Sequence, residues 1–215
     1  TKILGVTLPE LRHLAPILVA WAVSVVVMVG EKDLGSSLMF FTLFVVMLWV
    51  ATERTSFLVM GIGLFVGGAV IAYNLFSHVQ TRVEIWLNPW DQYTERGYQP
   101  IQALFALANG GMTGTGLGIG DPGAIPAAHN DFIFAALGEE LGLLGGVAIL
   151  SAFVLLVGAG MRTALRAQRD FEKLLATGLT TIVAIQTFII IGGVLRVVPL
   201  TGVTLPFMSY GGSSL

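Results

Sequence analysis

His129-Asn130-Asp131-Phe132-Ile133-Phe134-Ala135-Ala136-Leu137-Gly138-Glu139-Glu140-Leu141-Gly142 is where a long polar loop runs into an apolar helix that carries three carboxylates. Asp131 stands where loop meets apolar run. Glu139 and Glu140 follow about eight and nine residues later, on the order of 12 Å along a helix axis. A carboxylate at that depth in hydrocarbon costs about 3 kcal/mol or more, so the pair marks either a polar pathway or an internal ion pair.

Outward from this stretch the chain is mostly apolar. Of its 215 residues, 55% are hydrophobic and 11% charged, and the mean hydropathy is +0.84. A soluble domain carries about 25% charged residues, so this reads as an all-α integral membrane protein. Five runs, approximately Leu14 to Val29, Leu34 to Ala51, Phe57 to Phe76, Phe132 to Gly160 and Leu174 to Val198, are long enough or nearly so to cross a bilayer. A crossing takes roughly 17 to 25 helical residues. The first two are short and would form one hairpin about Gly30-Glu31-Lys32-Asp33. The chain then divides into three transmembrane helices (1–76), a large loop (77–131), two more helices joined by a basic loop (132–198), and an irregular segment (199–215) that leads toward a further helix. We expect a piece of a longer protein.

There are no cysteines, which excludes disulfides and thiolate metal sites. A net charge of -2 gives no support to nucleic-acid binding. Orientation follows from Lys and Arg, which accumulate in cytoplasmic loops. Lys2, Arg12, Arg54, Arg162, Arg166, Arg169 and Lys173 fall on one side, while the other, with far more loop, holds only Lys32, Arg82 and Arg96. The long loop, Asp131 and the C-terminal segment are therefore expected to face away from the cytoplasm.

Within the loop, Trp86, Trp90, Tyr93 and Tyr98 mixed with charged residues suit the membrane interface. Pro100 can open a short helix, with a rough apolar stripe at Ile101, Leu104, Phe105 and Leu107. The glycines from Gly110 to Gly120 make a turned segment whose amides can approach something closely. No Gly-Lys-Ser/Thr follows them and no βαβ unit surrounds them, so they are not a nucleotide loop. Ala135, Gly138, Gly142 and Gly146 form a small-residue face that reads as helix packing ahead of ligand binding. Pro199, Gly202, Pro206 and Gly211-Gly212 break helix repeatedly, which points to non-helical backbone near membrane depth.

By residue chemistry alone, Asp131 is either a helix N-cap or a catalytic or ion-binding carboxylate. Glu139 and Glu140 are read as structural, paired with a cation such as Arg196, ahead of direct catalysis. Asp33 joins them as a polar candidate, with Lys32 beside it in an interfacial turn. His129 reads as a loop residue ahead of a metal ligand, and no metal-ligand spacing is present. Arg196 borders the expected outer cavity either as an anion binder or as half of an ion pair.

Lys32-Asp33-Leu34-Gly35-Ser36, Gly97-Tyr98-Gln99, Gly114-Thr115-Gly116-Leu117-Gly118, Pro126 to Phe134 with Gly138-Glu139-Glu140-Leu141-Gly142, and Pro199 to Gly202 with Pro206 to Ser214, taken together and in this order, resemble the SEDS family (shape, elongation, division and sporulation), whose members are RodA, FtsW and SpoVE. The family has ten spans, and the chain is similar to its C-terminal half. The Asp33 to Ser36 turn and the Ser77 to Arg82 run lean toward an actinobacterial RodA over FtsW. The resemblance implies a peptidoglycan glycosyltransferase that polymerises lipid II at the outer face of the cytoplasmic membrane, for elongation or division. It implies that Asp131 is the essential carboxylate, with Asn130 where Thr is usual and Ala127-Ala128 where the family often has Glu-Ala. It further implies a class B penicillin-binding transpeptidase as partner and a divalent cation, Mg or Mn, as helper.

On that reading Asp131 takes the proton of the acceptor hydroxyl. Lys32, Arg196 or the cation holds the diphosphate, and His129, Gly116, Gly118 and Ser209 complete the substrate-binding set, with lipid II and the nascent glycan as ligands. Two competing readings stay open: a lipid II flippase built on Glu139, Glu140 and Arg196, and a scaffold that recruits the transpeptidase.

Overall fold

The structure, a computed structural model, describes residues 2, 3, 6, 7, 15, 18–24, 26, 34–94, 96–126 and 128–210. Lys32 and Asp33, expected at the first turn, lie outside the described residues, as do Ala127 and residues 211–215. Apart from a two-residue antiparallel pair, β1 (Lys2–Ile3) with β2 (Val6–Thr7), the described elements are helical. They are α1 (Leu34–Thr52), α2 (Ser56–Leu75), α3 (Ser77–Leu87), a 3-10 turn at Pro89–Gln92, α4 (Tyr98–Gly110), a second at Pro122–Ala124, α5 (Ile133–Arg166) and α6 (Asp170–Val194).

Four of these helices, among the described residues, are long and apolar enough to cross a membrane: Gly35–Thr52, Ser56–Leu75, Ile133–Arg166 and Asp170–Val194. The expected span from Leu14 to Val29 is helical at its described positions, 15, 18–24 and 26. Val59, Ile62, Val154 and Leu155 project outward from the spans. Lipid tails are as apolar as these side chains, so the spans gain little by hiding them from one another and associate instead through close packing.

Two compact units partition the chain. One comprises Thr1–Val79 with Ala159–Ile182, the other Gln80–Gly158 with Val183–Leu215. In the first, α1 stops where Glu53 adopts φ 56 and its N–H bonds back to the Trp49 carbonyl at 2.8 Å, a left-handed turn that uses up an orphaned helix-end carbonyl. Small residues then bring neighbours close. A Cβ on Gly61 would meet Val45 Cγ1 at 2.5 Å, and one on Gly160 would run into Thr180. The indole of Trp21 donates to the Leu64 carbonyl at 3.1 Å.

In the second unit the long loop has its own architecture. The stretch expected to lie as an aromatic interface segment is the regular helix α3, and α4 carries Pro100 in its first turn with Ile101, Ala103 and Ala106 buried. Edge contacts of Trp90 with Phe105 and of Tyr93 with Tyr98 knit the intervening turn.

Two sequence expectations are corrected here. α6 ends at Val194, four residues before the expected Val198. Val197 N–H bonds to the Gly192 carbonyl at 2.7 Å and Arg196 N–H to the Gly193 carbonyl at 3.1 Å, with Arg196 at φ 59. That double turn closes a helix, and it places an arginine where glycine is usual. α5, expected as one continuous span, is broken at Gly142, whose φ of 68 and ψ of -168 leave the helical region.

The glycine-rich segment bridges that break. Thr115 and Gly116 N–H groups donate to the carbonyls of Glu139 and Glu140, each at 3.0 Å. On the far side, Leu143 and Leu144 N–H groups donate to the Gly111 and Met112 carbonyls at 2.9 and 3.2 Å. Two half-helices would each expose orphaned backbone groups at their facing ends, and the strap satisfies four of them. Only glycine fits: a Cβ at Gly142 would lie 2.7 Å from the Met112 carbonyl oxygen, and one at Gly114 would enter the Glu140 carbonyl. The small-residue face thus packs chiefly on loop and α4. Gly138 meets Leu107, Gly142 meets the strap, and Gly110 sits against the Gly138 and Glu139 backbone.

Candidate functional site

A cavity of about 300 Å³ in the second unit is lined by residues from α3, from α4 and the turn before it, from the two residues before α5, from the end of α6 and from the irregular arm 195–210. Its charged groups are Arg82, Arg96, Arg196 and Asp131. Trp86, Gln99, Phe132 and Leu200 supply much of the remaining wall, and Gly193 and Gly202 open its floor.

Each group is placed by local structure. Arg82, on α3, donates to the Leu200 carbonyl at 2.8 Å and so ties that helix to the arm. Arg96 donates to the Thr81 hydroxyl at 3.3 Å. The Arg196 guanidinium donates to the carbonyls of Trp86 at 2.6 Å and Leu87 at 3.1 Å, the last residues of α3, while the Trp86 indole returns a bond to the Arg196 carbonyl at 2.9 Å. A cation at a helix C-terminus meets both unbonded carbonyls and the negative end of the helix dipole. This corrects the expected pairing of Arg196 with Glu139 or Glu140. Ion pairs do form elsewhere, between Arg169 and Glu172 and between Lys173 and Glu53. Glu139 is buried with Oε2 unbonded, and this oxygen lies 3.3 Å from where a Cβ on Gly120 would stand.

Asp131 stands two residues before α5, and its Oδ2 would sit 3.7 Å from a Cβ on Gly202. The segment before it is held by the arm. Ser209 Oγ donates to the Asn130 carbonyl at 2.7 Å, Tyr210 N–H donates to the His129 carbonyl at 2.9 Å, and the His129 and Tyr210 rings meet edge-on at 5.9 Å.

Of the sequence candidates, then, Asp131 and Arg196 share the cavity. Ser209 and His129 lie behind Asp131, and Gly116 spends its amide on the helix break. Gly118 stands clear of neighbours at φ 73. His129 and Glu140 line a second cavity of about 530 Å³ with Ile125, Pro126, Ile133 and Leu137. Arg82, Arg96 and Gln99 are cavity residues that sequence reasoning did not select. The signal is present in the sequence, since Arg82 and Arg96 are the Lys or Arg residues of 77–131, but nothing local brings them to Asp131.

The donor set does not suit a protein-held Mg or Mn ion. Such ions take carboxylate and carbonyl oxygens, whereas this lining offers three guanidiniums to one carboxylate, and no three His, Asp or Glu side chains cluster among the described residues. It suits an anion with a base beside it. Guanidinium forks match phosphate oxygens.

The chain is 54% identical over 213 residues to the peptidoglycan glycosyltransferase RodA of Mycobacterium tuberculosis, covering 99% of this chain and 45% of that protein. It is 40% identical over 206 residues to the probable peptidoglycan glycosyltransferase FtsW of Geobacter metallireducens, covering 94% and 54%. The chain thus spans about half the length of the curated relatives it matches. A chain of a solved structure described as the structural coordination of polymerization and crosslinking by a peptidoglycan synthase complex superposes with a TM-score of 0.70 at 27% identity, over 93% of this chain and 56% of that one. The cell cycle protein family of FtsW, RodA and SpoVE matches residues 3–215, so this chain, a multi-pass membrane protein, belongs to that family and lies nearer its mycobacterial RodA members than the FtsW compared here.

Proposed function

We propose that the intact protein is a peptidoglycan glycosyltransferase that polymerises lipid II at the outer face of the cytoplasmic membrane, with Asp131 as its base. The carrying observation is the shared cavity, in which one carboxylate stands among three guanidiniums. The acceptor sugar's hydroxyl oxygen attacks the donor's anomeric carbon, the bond to the diphosphate oxygen breaks, and the hydroxyl proton passes to the Asp131 carboxylate. Attack opposite the leaving group inverts the anomeric centre from α to β. Arg82, Arg96 and Arg196 balance the charge that builds on the departing diphosphate, a preorganised electrostatic contribution. In this reading they stand in place of the Mg or Mn ion implied by the resemblance.

The break at Gly142 bears on the competing flippase. Past it, residues 143–161 form an uncharged run of about 19 residues, roughly 28 Å at 1.5 Å per residue, enough by itself for the hydrocarbon core. In this reading Glu139 and Glu140 fall near the outer boundary and not 12 Å inside, which counts against a transport route built on mid-membrane charges. The likeness to a solved complex that coordinates polymerization and crosslinking supports a crosslinking partner, which we take to be a class B penicillin-binding transpeptidase, and the Lys and Arg asymmetry of the loops supports an outward-facing cavity.

The test is lipid II polymerisation by the intact protein with its transpeptidase, comparing wild type with Asp131→Ala and Asp131→Asn. A general base contributes about 10² to 10⁴ in rate, so both variants should lose at least about a hundredfold while still binding lipid II. Polymerisation at wild-type rate by both would hand the lead to precursor flipping or scaffolding.

A further inference from the structure

We propose that Ser209 is a positioning residue for Asp131, acting through the backbone of residues 129–130 and not by touching substrate. The inference rests on the polymerase reading above and deepens it.

Residues 205–209 make a closed turn in the non-helical arm. Met208 and Ser209 N–H groups bond to the Leu205 carbonyl at 3.3 and 3.0 Å, and Phe207 takes φ 63. The Ser209 hydroxyl, buried at 8% exposure, faces two ways at once. It accepts from Leu205 N–H at 2.8 Å and donates to the Asn130 carbonyl at 2.7 Å. A hydroxyl has one proton to give and lone pairs to receive, so this one oxygen closes the turn and grips the loop.

Tyr210 N–H holds the preceding carbonyl, that of His129, at 2.9 Å. The two carbonyls immediately before Asp131 are therefore held by two consecutive residues of the arm. The same arm passes beneath the carboxylate at Gly202 and is anchored at its start by Arg82 on the Leu200 carbonyl. Of these two hydrogen bonds to the carbonyls of residues 129 and 130, that of Ser209 is made by a side chain, so substitution can remove it without altering backbone chemistry. Ser209 is not among the residues that line the arginine cavity. Its effect on transfer passes through where Asp131 stands, and a base displaced by a fraction of an ångström to an ångström loses much of its rate.

The experiment measures kcat and KM for lipid II in the intact protein with its transpeptidase, for wild type, Ser209→Ala, Ser209→Thr and Ser209→Cys, with Asp131→Ala alongside. Ser209→Ala should lower kcat about tenfold or more, with KM within about twofold. Ser209→Thr, which keeps the hydroxyl, should recover most of the rate, and Ser209→Cys, a weaker donor and acceptor, should fall between. Should the alanine variant fail to fold, the threonine and cysteine variants carry the test, and wild-type kcat in a folded cysteine variant overturns the proposal. So does a Ser209→Ala kcat within twofold of wild type, or a loss that threonine fails to restore. A raised KM at unchanged kcat places Ser209 on substrate and also overturns it. Asp131→Ala separates the two ideas. An inactive Asp131→Ala beside a normal Ser209→Ala sinks the positioning role alone, whereas an active Asp131→Ala sinks the base assignment and this role with it.

Discussion

Gly61 in α2 and Gly142 in α5 are both pressed against a neighbour, yet they do different work. Gly61 admits a side chain, Val45, and α2 runs on unbroken past it. Gly142 admits backbone, the strap from Met112 to Gly114, and its helix breaks there. A side-chain neighbour can be trimmed or turned. A backbone neighbour that is also hydrogen-bonded on both sides of the break cannot, because moving it strips the partners from both half-helix ends at once.

The sharpest way to break that contrast is Gly142→Ala. Its backbone conformation is one that essentially only glycine adopts, and the added carbon strikes the strap, so we expect a loss of roughly 3 kcal/mol or more. Thermal unfolding of the detergent-solubilised protein would read it, and an unchanged midpoint would mean the break is not built as described.

Gly61→Ala should cost about 1 to 3 kcal/mol by overpacking. The informative step is the double variant with Val45→Ala, which should recover much of that loss because the obstacle is a removable side chain. Trimming Leu107, Phe134 or any other side chain near the break should not rescue Gly142→Ala. Additive losses for the Gly61 and Val45 pair would erase the distinction.

The smallest effect belongs to Lys173→Ala. Its 3.4 Å tie to Glu53 is solvent-exposed, and such pairs contribute about 0 to 1 kcal/mol. A shift beyond that range in the same unfolding measurement would show that the unit holding α1 and α2 depends on more than packing.

Legibility in the sequence followed the same divide. Apolar runs announced α1, α2, α5 and α6 because a helix in lipid satisfies its own backbone and needs only length and apolarity. Asp131 stood out as a carboxylate at a loop-to-helix boundary, and helix breakers marked the arm from Pro199 onward. The pairing of Arg196 was misread, since its partners are the Trp86 and Leu87 carbonyls and carbonyls carry no residue signature. Gly142 was read as a packing glycine for the same reason: its neighbours are the main chain of a segment about thirty residues away.

The sequence by itself determined that this is an apolar, multi-span helical protein with a long polar loop, a carboxylate at Asp131 where that loop meets an apolar run, and a family's motifs in order, because hydropathy, charge and local breakers act over short stretches. Only the tertiary structure decided that α5 breaks at Gly142 under a glycine strap, that Arg82, Arg96 and Arg196 line one cavity with Asp131, and that Ser209 and Tyr210 hold the two carbonyls before it. Those arrangements are made by main-chain hydrogen bonds between segments far apart in the chain, and every residue carries the same main-chain donors and acceptors, so their pairing is settled only when the chain folds.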